Sequence, residues 1–354
     1  MKTPVFTGNW GNCHIQGIAV DKQNGYIYYS FTTKLVKATL DGEIVGVVDG
    51  LVGHLGCIAF NENDGCVYGS LEYKNDIIGK GILASIGSAS SFRDAFYIVR
   101  FEASKIDKPY ISAEDSGIMT AVYLREVCDD YNGTGTDKNG NTVQHRYGCS
   151  GIDGVTFGPI PGDTESNKMY LYVAYGIYGD VDRNDNNNQI LLCYDTDMLN
   201  SFAQRLDQKN MHTSGPEKPL HKYFVYTGNT VYGVQNLEYD RYTKAFLMAV
   251  YKGKKTEFPN YSLFAVDACR AAEIKTPAGL NEKAEILYLK QTGLYDEESG
   301  ISGWHFPYGS TGLYSFGDGN WLISHNQSTP EGQCSYIHHY IWNDLQPFEL
   351  NNKK

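Results

Sequence analysis

One eight-residue pattern occurs five times along the chain, and no other feature of the sequence restricts the fold so strongly. The copies are His14-Ile-Gln-Gly-Ile-Ala-Val-Asp21, His54-Leu-Gly-Cys-Ile-Ala-Phe-Asn61, Gly151-Ile-Asp-Gly-Val-Thr-Phe-Gly158, Gly233-Val-Gln-Asn-Leu-Glu-Tyr-Asp240 and Gly309-Ser-Thr-Gly-Leu-Tyr-Ser-Phe316. Each opens a strand-like run, and the starts lie 40, 97, 82 and 76 residues apart. Such uneven intervals exclude a solenoid, whose units stack at a constant period, but suit units that carry surface insertions.

Behind the copies comes a turn, Asn24-Gly25, Asp64-Gly65 or Asp318-Gly319, and then a second apolar run such as Gly25-Tyr-Ile-Tyr-Tyr-Ser-Phe31 or Asn320-Trp-Leu-Ile-Ser-His325. Third and fourth runs follow, for instance Phe96-Tyr-Ile-Val-Arg-Phe101 and Met119-Thr-Ala-Val-Tyr-Leu124 after the second copy, and Ser262-Leu-Phe-Ala-Val266 and Glu285-Ile-Leu-Tyr-Leu289 after the fourth. Four strands per copy is the blade of a β-propeller. The expectation is therefore an all-β, five-bladed β-propeller occupying residues 1–354 as one domain. The last copy runs out of chain after its third strand, Ser335-Tyr-Ile-His-His-Tyr-Ile-Trp342, so Pro4-Val-Phe-Thr7 is expected to close the ring as its outer strand. The 97-residue interval has room for a sixth blade, although it holds no sixth copy of the pattern.

Composition agrees with an all-β chain: 28 tyrosines and 38 glycines accompany short apolar runs bounded by Asn, Asp and Gly. A formal charge of −11 argues against nucleic acid as a partner, because phosphate binding rests on clustered Lys and Arg. The first residues lack the apolar stretch of a signal peptide, and no segment reaches the roughly 18 apolar residues of a membrane span. The eight cysteines form no CxxC pair, and several sit inside apolar runs such as Leu191-Leu192-Cys193-Tyr194. They read as reduced core thiols of a cytoplasmic protein with no membrane partner.

Two polar segments, residues 129–141 and 180–188, read as solvated loops. In the second, Asp180, Asp182, Asn184, Asn186 and Asn188 alternate as calcium ligands do. Asp185 stands where an EF-hand needs glycine and Leu191 where it needs glutamate, which excludes that motif.

In a propeller the starts of first strands and the ends of second strands open onto one face, so residues remote in sequence are expected to meet there. The candidate catalytic residues are His14, His54, Glu72, Asp153 and His325; the candidate substrate-binding residues are Gln16, Lys74, Tyr175, Gln235, Asn236, Tyr251, Lys252, Trp304 and His305. Titratable groups among tyrosines and a tryptophan suit a small polyhydroxylated molecule or oligosaccharide, whose CH faces pack on rings while amides and carboxylates take its hydroxyls. Taken singly, such inner-strand polar groups also serve simply to bind channel water. His14, His54, His305 and His325 offer imidazoles to a divalent metal ion, but without a close-spaced pair. His338 and His339 lie on a third strand, where only one of the two can face inward.

The layout resembles that of the propeller glycosidases that include arabinanases, invertases and levansucrases, in architecture rather than in motifs. Those families place carboxylates at successive inner-strand starts, which here carry His14, His54 and only then Asp153. Glu72 with Asp153 would supply the carboxyl pair that glycoside hydrolysis uses. Propeller polysaccharide lyases give a second precedent: His14 or His54 as base, Lys74 or Lys252 as counter-charge and Tyr175 or Tyr251 as acid would fill their roles. The expectation is a carbohydrate-active enzyme, hydrolase or lyase. A noncatalytic sugar- or protein-binding propeller and a metal-dependent lactonase or oxygenase stand as alternatives. No GxSxG elbow, P-loop or dinucleotide fingerprint is present.

Overall fold

A computed structural model describes residues 4–87, 92–163 and 165–351. Five antiparallel sheets radiate from a common axis, giving the five-bladed β-propeller. Blade one runs from its inner strand Ile15–Asp21 through Tyr26–Phe31 and Lys34–Thr39 to Ile44–Asp49, and blade two comprises His54–Asn61, Cys66–Tyr73, Ala95–Glu102 and Met119–Tyr123. Blade three comprises Cys149–Gly158, Tyr170–Ile177, Asn188–Tyr194 and His221–Tyr226. Blade four begins with Thr230–Asp240, Ala245–Lys252 and Leu263–Asp267, and blade five with Leu313–Ser315, Asn320–Thr329 and Gly332–Trp342.

Strands here are apolar on both faces because each blade is covered on both sides by its neighbours. Leu192 and Leu171 point to the core shared with blade two, while Leu191 and Tyr172, next in sequence, point to the core shared with blade four. Each fully buried side chain of this size contributes roughly 1.5–3 kcal/mol, so the repeated interface supplies the main stabilisation.

The fourth position of the repeat explains why the pattern recurs. A Cβ on Gly17 would lie 2.8 Å from Ile58 N, one on Gly154 2.9 Å from Leu237 Cβ and one on Gly312 2.8 Å from Ile18 Cγ1. In blade two the position holds Cys57, whose thiol reaches Val155 O at 3.5 Å. Asn236 holds it in blade four, donating from Nδ2 to Gln16 O at 2.9 Å and Ser310 O at 3.1 Å. Small or hydrogen-bonding residues are needed where five inner strands crowd around the axis.

The N-terminal strand Val5–Phe6 closes the ring, pairing Val5 with Ile337 and Phe6 with Tyr336. Thr7 extends the seal through its N–H to Ser335 O at 3.0 Å. The chain's other end shares that edge, with Phe348–Leu350 pairing against residues 340–342. Blade four's outer edge is assembled from two pieces. The segment expected to form it, Ala284–Leu287, pairs in parallel with blade three's outer strand, and contact with blade four comes from Leu289 on Val266 and Trp304 on Leu263. The long second interval holds no sixth blade; helices Ile77–Ser85 and Arg125–Asn132 and the hairpin Thr134–Thr136/Thr142–Gln144 occupy it.

The two polar segments are solvated only in part: residues 133–141 form a largely exposed hairpin and 180–182 are exposed, but the rest is packed into the fold. Residues 129–132 end a helix that buries Asp130 and Tyr131. In residues 180–188, Arg183, Asp185, Asn186, Asn187 and Asn188 are buried around the Lys255 ammonium, which donates to Asn186 Oδ1 at 2.9 Å and Asn187 Oδ1 at 2.5 Å. Of the alternating residues only Asn186 reaches this lysine, while Asn188 bonds Ala278 O at 2.8 Å, so the alternation does not converge on one site. All eight cysteines are free, six of them buried. Among the described residues no helix is long and apolar enough to cross a membrane.

Candidate functional site

Four of the five inner strands carry a β-bulge near their starts: between Ile15 and Gly17, Leu55 and Ile58, Cys149 and Gly151, Ile152 and Val155, and Val231 and Val234. A bulge breaks the two-residue alternation and turns consecutive side chains toward the axis. At these bulges a cavity of about 380 Å3 opens, lined by His14, Gln16, His54, Glu72, Lys74, Ile78, Ser150, Ile152, Asp153, Gly176, Tyr232, Gln235 and Tyr251. Its volume falls in the roughly 300–1,000 Å3 range of small-molecule sites.

Glu72 is the electrostatic centre. Its Oε1 lies 2.6 Å from Lys74 Nζ and 3.4 Å from His54 Nδ1, and its Oε2 accepts from Ile152 N at 3.1 Å. Burial works to raise the Glu72 carboxyl, yet the Lys74 ammonium and His54 outweigh it and hold the group below its ordinary range. Lys74 also donates to Ser150 O at 2.8 Å and stands 3.7 Å from Asp76 Oδ2. Burial opposes its charge, but Glu72 and Asp76 keep its pKa raised. At 3.4 Å the His54–Glu72 contact is coulombic rather than a good hydrogen bond, and Nδ1 has no other partner. Burial again acts against charge on His54, and Glu72 and Asp153 prevail, raising its pKa.

Asp153 differs from Glu72 in having no cation of its own. Cys57 N donates to Oδ1 at 3.1 Å, and Ser70 Oγ holds the Asp153 backbone carbonyl at 2.7 Å. Burial dominates and pushes the carboxyl up to about 7, with nearby Glu72 adding to the rise and His54 opposing it. His14 goes the other way: burial, then the charge of His54, lowers its pKa, so the imidazole is neutral at neutral pH. Its Nε2 lies 3.1 Å from Gln16 Nε2. Two glycines make room for the carboxylates: a Cβ on Gly56 would fall 2.1 Å from Asp153 Oδ1, and one on Gly151, at φ +122°, 2.1 Å from Glu72 Oε2.

Eight of the sequence-derived candidates therefore line one cavity: His14, His54, Glu72, Asp153, Gln16, Lys74, Gln235 and Tyr251. The other six lie elsewhere. Tyr175 is sealed in the core with its hydroxyl on Asp130 Oδ2 at 2.8 Å, because the second strand's alternation turns it into the core shared with blade two. Asn236 is committed to the inter-blade hydrogen bonds described above. Lys252 is exposed at a strand end outside the cavity lining. Trp304 is a core residue packed on Trp342, and His305 is exposed beside Tyr261. His325 stands on blade five, stacked between Tyr308 and His338 with its Nε2 2.8 Å from Tyr340 OH. His339 faces away and bonds Asn320 Oδ1 at 2.8 Å, as strand alternation requires.

Sequence reasoning missed Tyr232 and Ile78. Tyr232 has φ 65°, a conformation reached because Gly233 follows it at φ +67° inside the bulge; the Tyr-Gly pair at a strand start was the available signal. Ile78 comes from helix Ile77–Ser85, which starts at Asp76 with its side chain accepting from Gly79 N at 2.8 Å. No group of three or more His, Cys, Asp or Glu among the described residues is placed to hold a metal ion. A larger cavity of about 700 Å3 opens at the opposite mouth of the channel. Lys22–Glu62, Arg100–Asp64 and Lys168–Asp195 are paired along its lining, and Glu238, which accepts from Ser315 N at 2.9 Å and Thr156 Oγ1 at 3.3 Å, also lines it, with its carboxyl pushed by burial up to about 8.

No family model matches the sequence, and no curated protein matches it. Solved structures with related backbones include a GH43 β-1,3-galactosidase with galactodeoxynojirimycin, at 10% identity over 99% of both chains and a TM-score of 0.44. A calcium structure of a Trichoderma reesei carbohydrate-active enzyme of family AA12 aligns over 91% of this chain and 80% of its own, at 10% identity and a TM-score of 0.40. The holo PQQ domain of a pyranose dehydrogenase from Coprinopsis cinerea aligns over 91% and 81%, at 12% identity and a TM-score of 0.35. Likeness at this level carries no argument about activity. Fold and site together define a five-bladed β-propeller with an ionisable cavity at one end of its axis.

Proposed function

We propose that this propeller hydrolyses a glycosidic bond in the upper cavity, with Asp153 as general acid and His14 as general base. The observation that carries the reading is the opposite setting of two neighbouring carboxyls: Glu72 held ionised by Lys74, Asp153 held protonated up to about pH 7 by burial. Pairs of groups whose environments push their pKa values apart mark acid–base assignments. Asp153 would give its proton to the leaving oxygen as the C–O bond breaks, while water attacks the anomeric carbon and His14 takes the proton that water loses. Glu72 would act through charge rather than as a nucleophile, since both of its oxygens are already engaged. Tyr232, Tyr251 and Gln235 supply ring faces and an amide for a sugar.

A lyase fits less well. Its counter-charge would have to be Lys74, which Glu72 and Ser150 occupy, or Lys252, which lies outside the cavity lining. The test is turnover of a panel of aryl glycosides and oligosaccharides by the wild-type protein and by Asp153→Asn and His14→Ala. Either substitution should lower turnover by roughly 10²-fold or more, the scale of a lost acid or base, without lowering the melting midpoint. Sugar binding without turnover in the wild type would instead define a noncatalytic binding propeller.

A further inference from the structure

Cavity-lining residues come from blades one to four; blade five contributes none among the described residues. Its inner strand, Leu313–Ser315, is short and pairs with Asn320–Thr329 without a bulge, and its Tyr314 and Ser315 line the cavity at the opposite mouth instead. The wall nevertheless continues toward blade five. Asn236, next in sequence to the cavity-lining Gln235, donates from Nδ2 to Ser310 O at 3.1 Å. Two residues before Ser310 stands Tyr308, at the end of a stack of three rings.

Tyr308 and His325 lie 3.6 Å apart between centroids at 8°, and His325 and His338 3.9 Å apart at 25°. The stack is braced from below by His325 Nε2 on Tyr340 OH at 2.8 Å and from the side by Phe306, edge-on to Tyr308 at 5.8 Å. Tyr308 remains 37% exposed. Stacked on His325 and edge-on to Phe306, the part-exposed ring is held in place before any ligand arrives, so binding to it costs little ordering entropy. Gln327 is exposed on the same side of the strand as His325, two residues on, and offers an amide beside the platform.

We propose that the Tyr308 face, backed by His325 and His338, is a second glycosyl subsite that continues the cavity across blade five and selects oligosaccharides over single sugars. The proposal rests on the glycan reading of the cavity and deepens it. A fixed, part-exposed aromatic ring suits the CH face of a pyranose or furanose ring, with the exposed Gln327 available to its hydroxyls.

The test is a matched set of p-nitrophenyl glycosides carrying one, two and three units of the sugar that the wild type turns over best. Tyr308→Ala should raise KM for the three-unit substrate about three- to tenfold, the scale of one lost ring contact, while kcat/KM for the single-unit substrate stays unchanged. Tyr308→Phe should restore the wild-type values, and His325→Ala should reproduce the loss in part. Equal effects of Tyr308→Ala on short and long substrates, or none on either, would overturn the subsite. If the wild type binds the free trisaccharide without turnover, the hydrolase reading fails alone, and the same dependence on Tyr308 is then read as Kd by calorimetry. Absence of any sugar binding would overturn both.

Discussion

Two buried ionic clusters in this protein have nearly the same chemistry and different access to a cavity. In the cavity, Glu72 pairs with Lys74 while Asp153 stands nearby without a cation. Under helix Arg125–Asn132, Glu126 pairs with Lys222 at 2.8 Å and Lys218 at 2.9 Å, and Asp130 with Lys222 and the Tyr175 hydroxyl. Burial opposes ionisation of both glutamates, and in both the lysines win and hold the carboxyl low. Burial likewise raises both aspartates. What separates the clusters is access. Glu126 and Asp130, one helical turn apart, are clamped between their helix and blade three's outer strand, whereas Asp153 faces a cavity of about 380 Å3. A shifted pKa records burial and neighbours; only an opening for substrate makes it useful.

The strongest way to break that contrast is to exchange the effects of two aspartates. Asp153→Asn should abolish at least 99% of turnover, on the order of a 10²-fold loss, and at pH 5, where Asp153 keeps its proton, leave the melting midpoint in place. Asp130→Asn should retain turnover but lower the midpoint by several degrees, because breaking a buried ion pair costs on the order of 3 kcal/mol. Activity lost with Asp130, or stability lost with Asp153, would mean that the two clusters are not divided as described.

The pH profile sharpens the same contrast. With Asp153 as the proposed proton donor, kcat/KM should fall above about pH 7, roughly tenfold per unit. Asp130→Asn should keep that limb where it is.

A smaller effect concerns stability against pH. Folded Asp153 keeps its proton up to about 7, whereas in the unfolded chain it is lost near 3.8, so the native state binds more protons between those values. The contribution of Asp153 to stability therefore declines as pH rises through that window. Glu72, held low, acts in the opposite sense: its contribution is present above the ordinary 4.5 and is lost as pH falls below it. Urea midpoints measured from pH 5 to pH 7 should rise, relative to wild type, in Asp153→Asn as the decline is removed.

The smallest expected change is that of Arg146→Ala at the edge of the sealed cluster. Its guanidinium is half exposed and 3.6 Å from Asp130 Oδ1, so the loss should stay within about 0.5 kcal/mol. A larger loss would show that solvent does not screen that edge.

The sequence by itself determined the ring and most of the cavity. The repeat fixed five inner strands, the missing outer strand of the last blade called for Val5 and Phe6, and strand order alone gathered His14, His54, Glu72 and Asp153 from three blades. Such features follow covalent order, because each blade must start at the axis and closure must use an end of the chain. Tertiary structure decided which way individual side chains point. Tyr175 reads like Tyr251 at a second-strand end, yet it faces the core, while Tyr232 reaches the cavity only through a bulge and a left-handed backbone. Asn186 and Asn187 look solvated until Lys255, from another blade, is laid against them. Their direction and burial depend on register shifts and on partners some 70 residues away. No local pattern encodes those, since a one-residue bulge reverses a strand's faces without altering its composition.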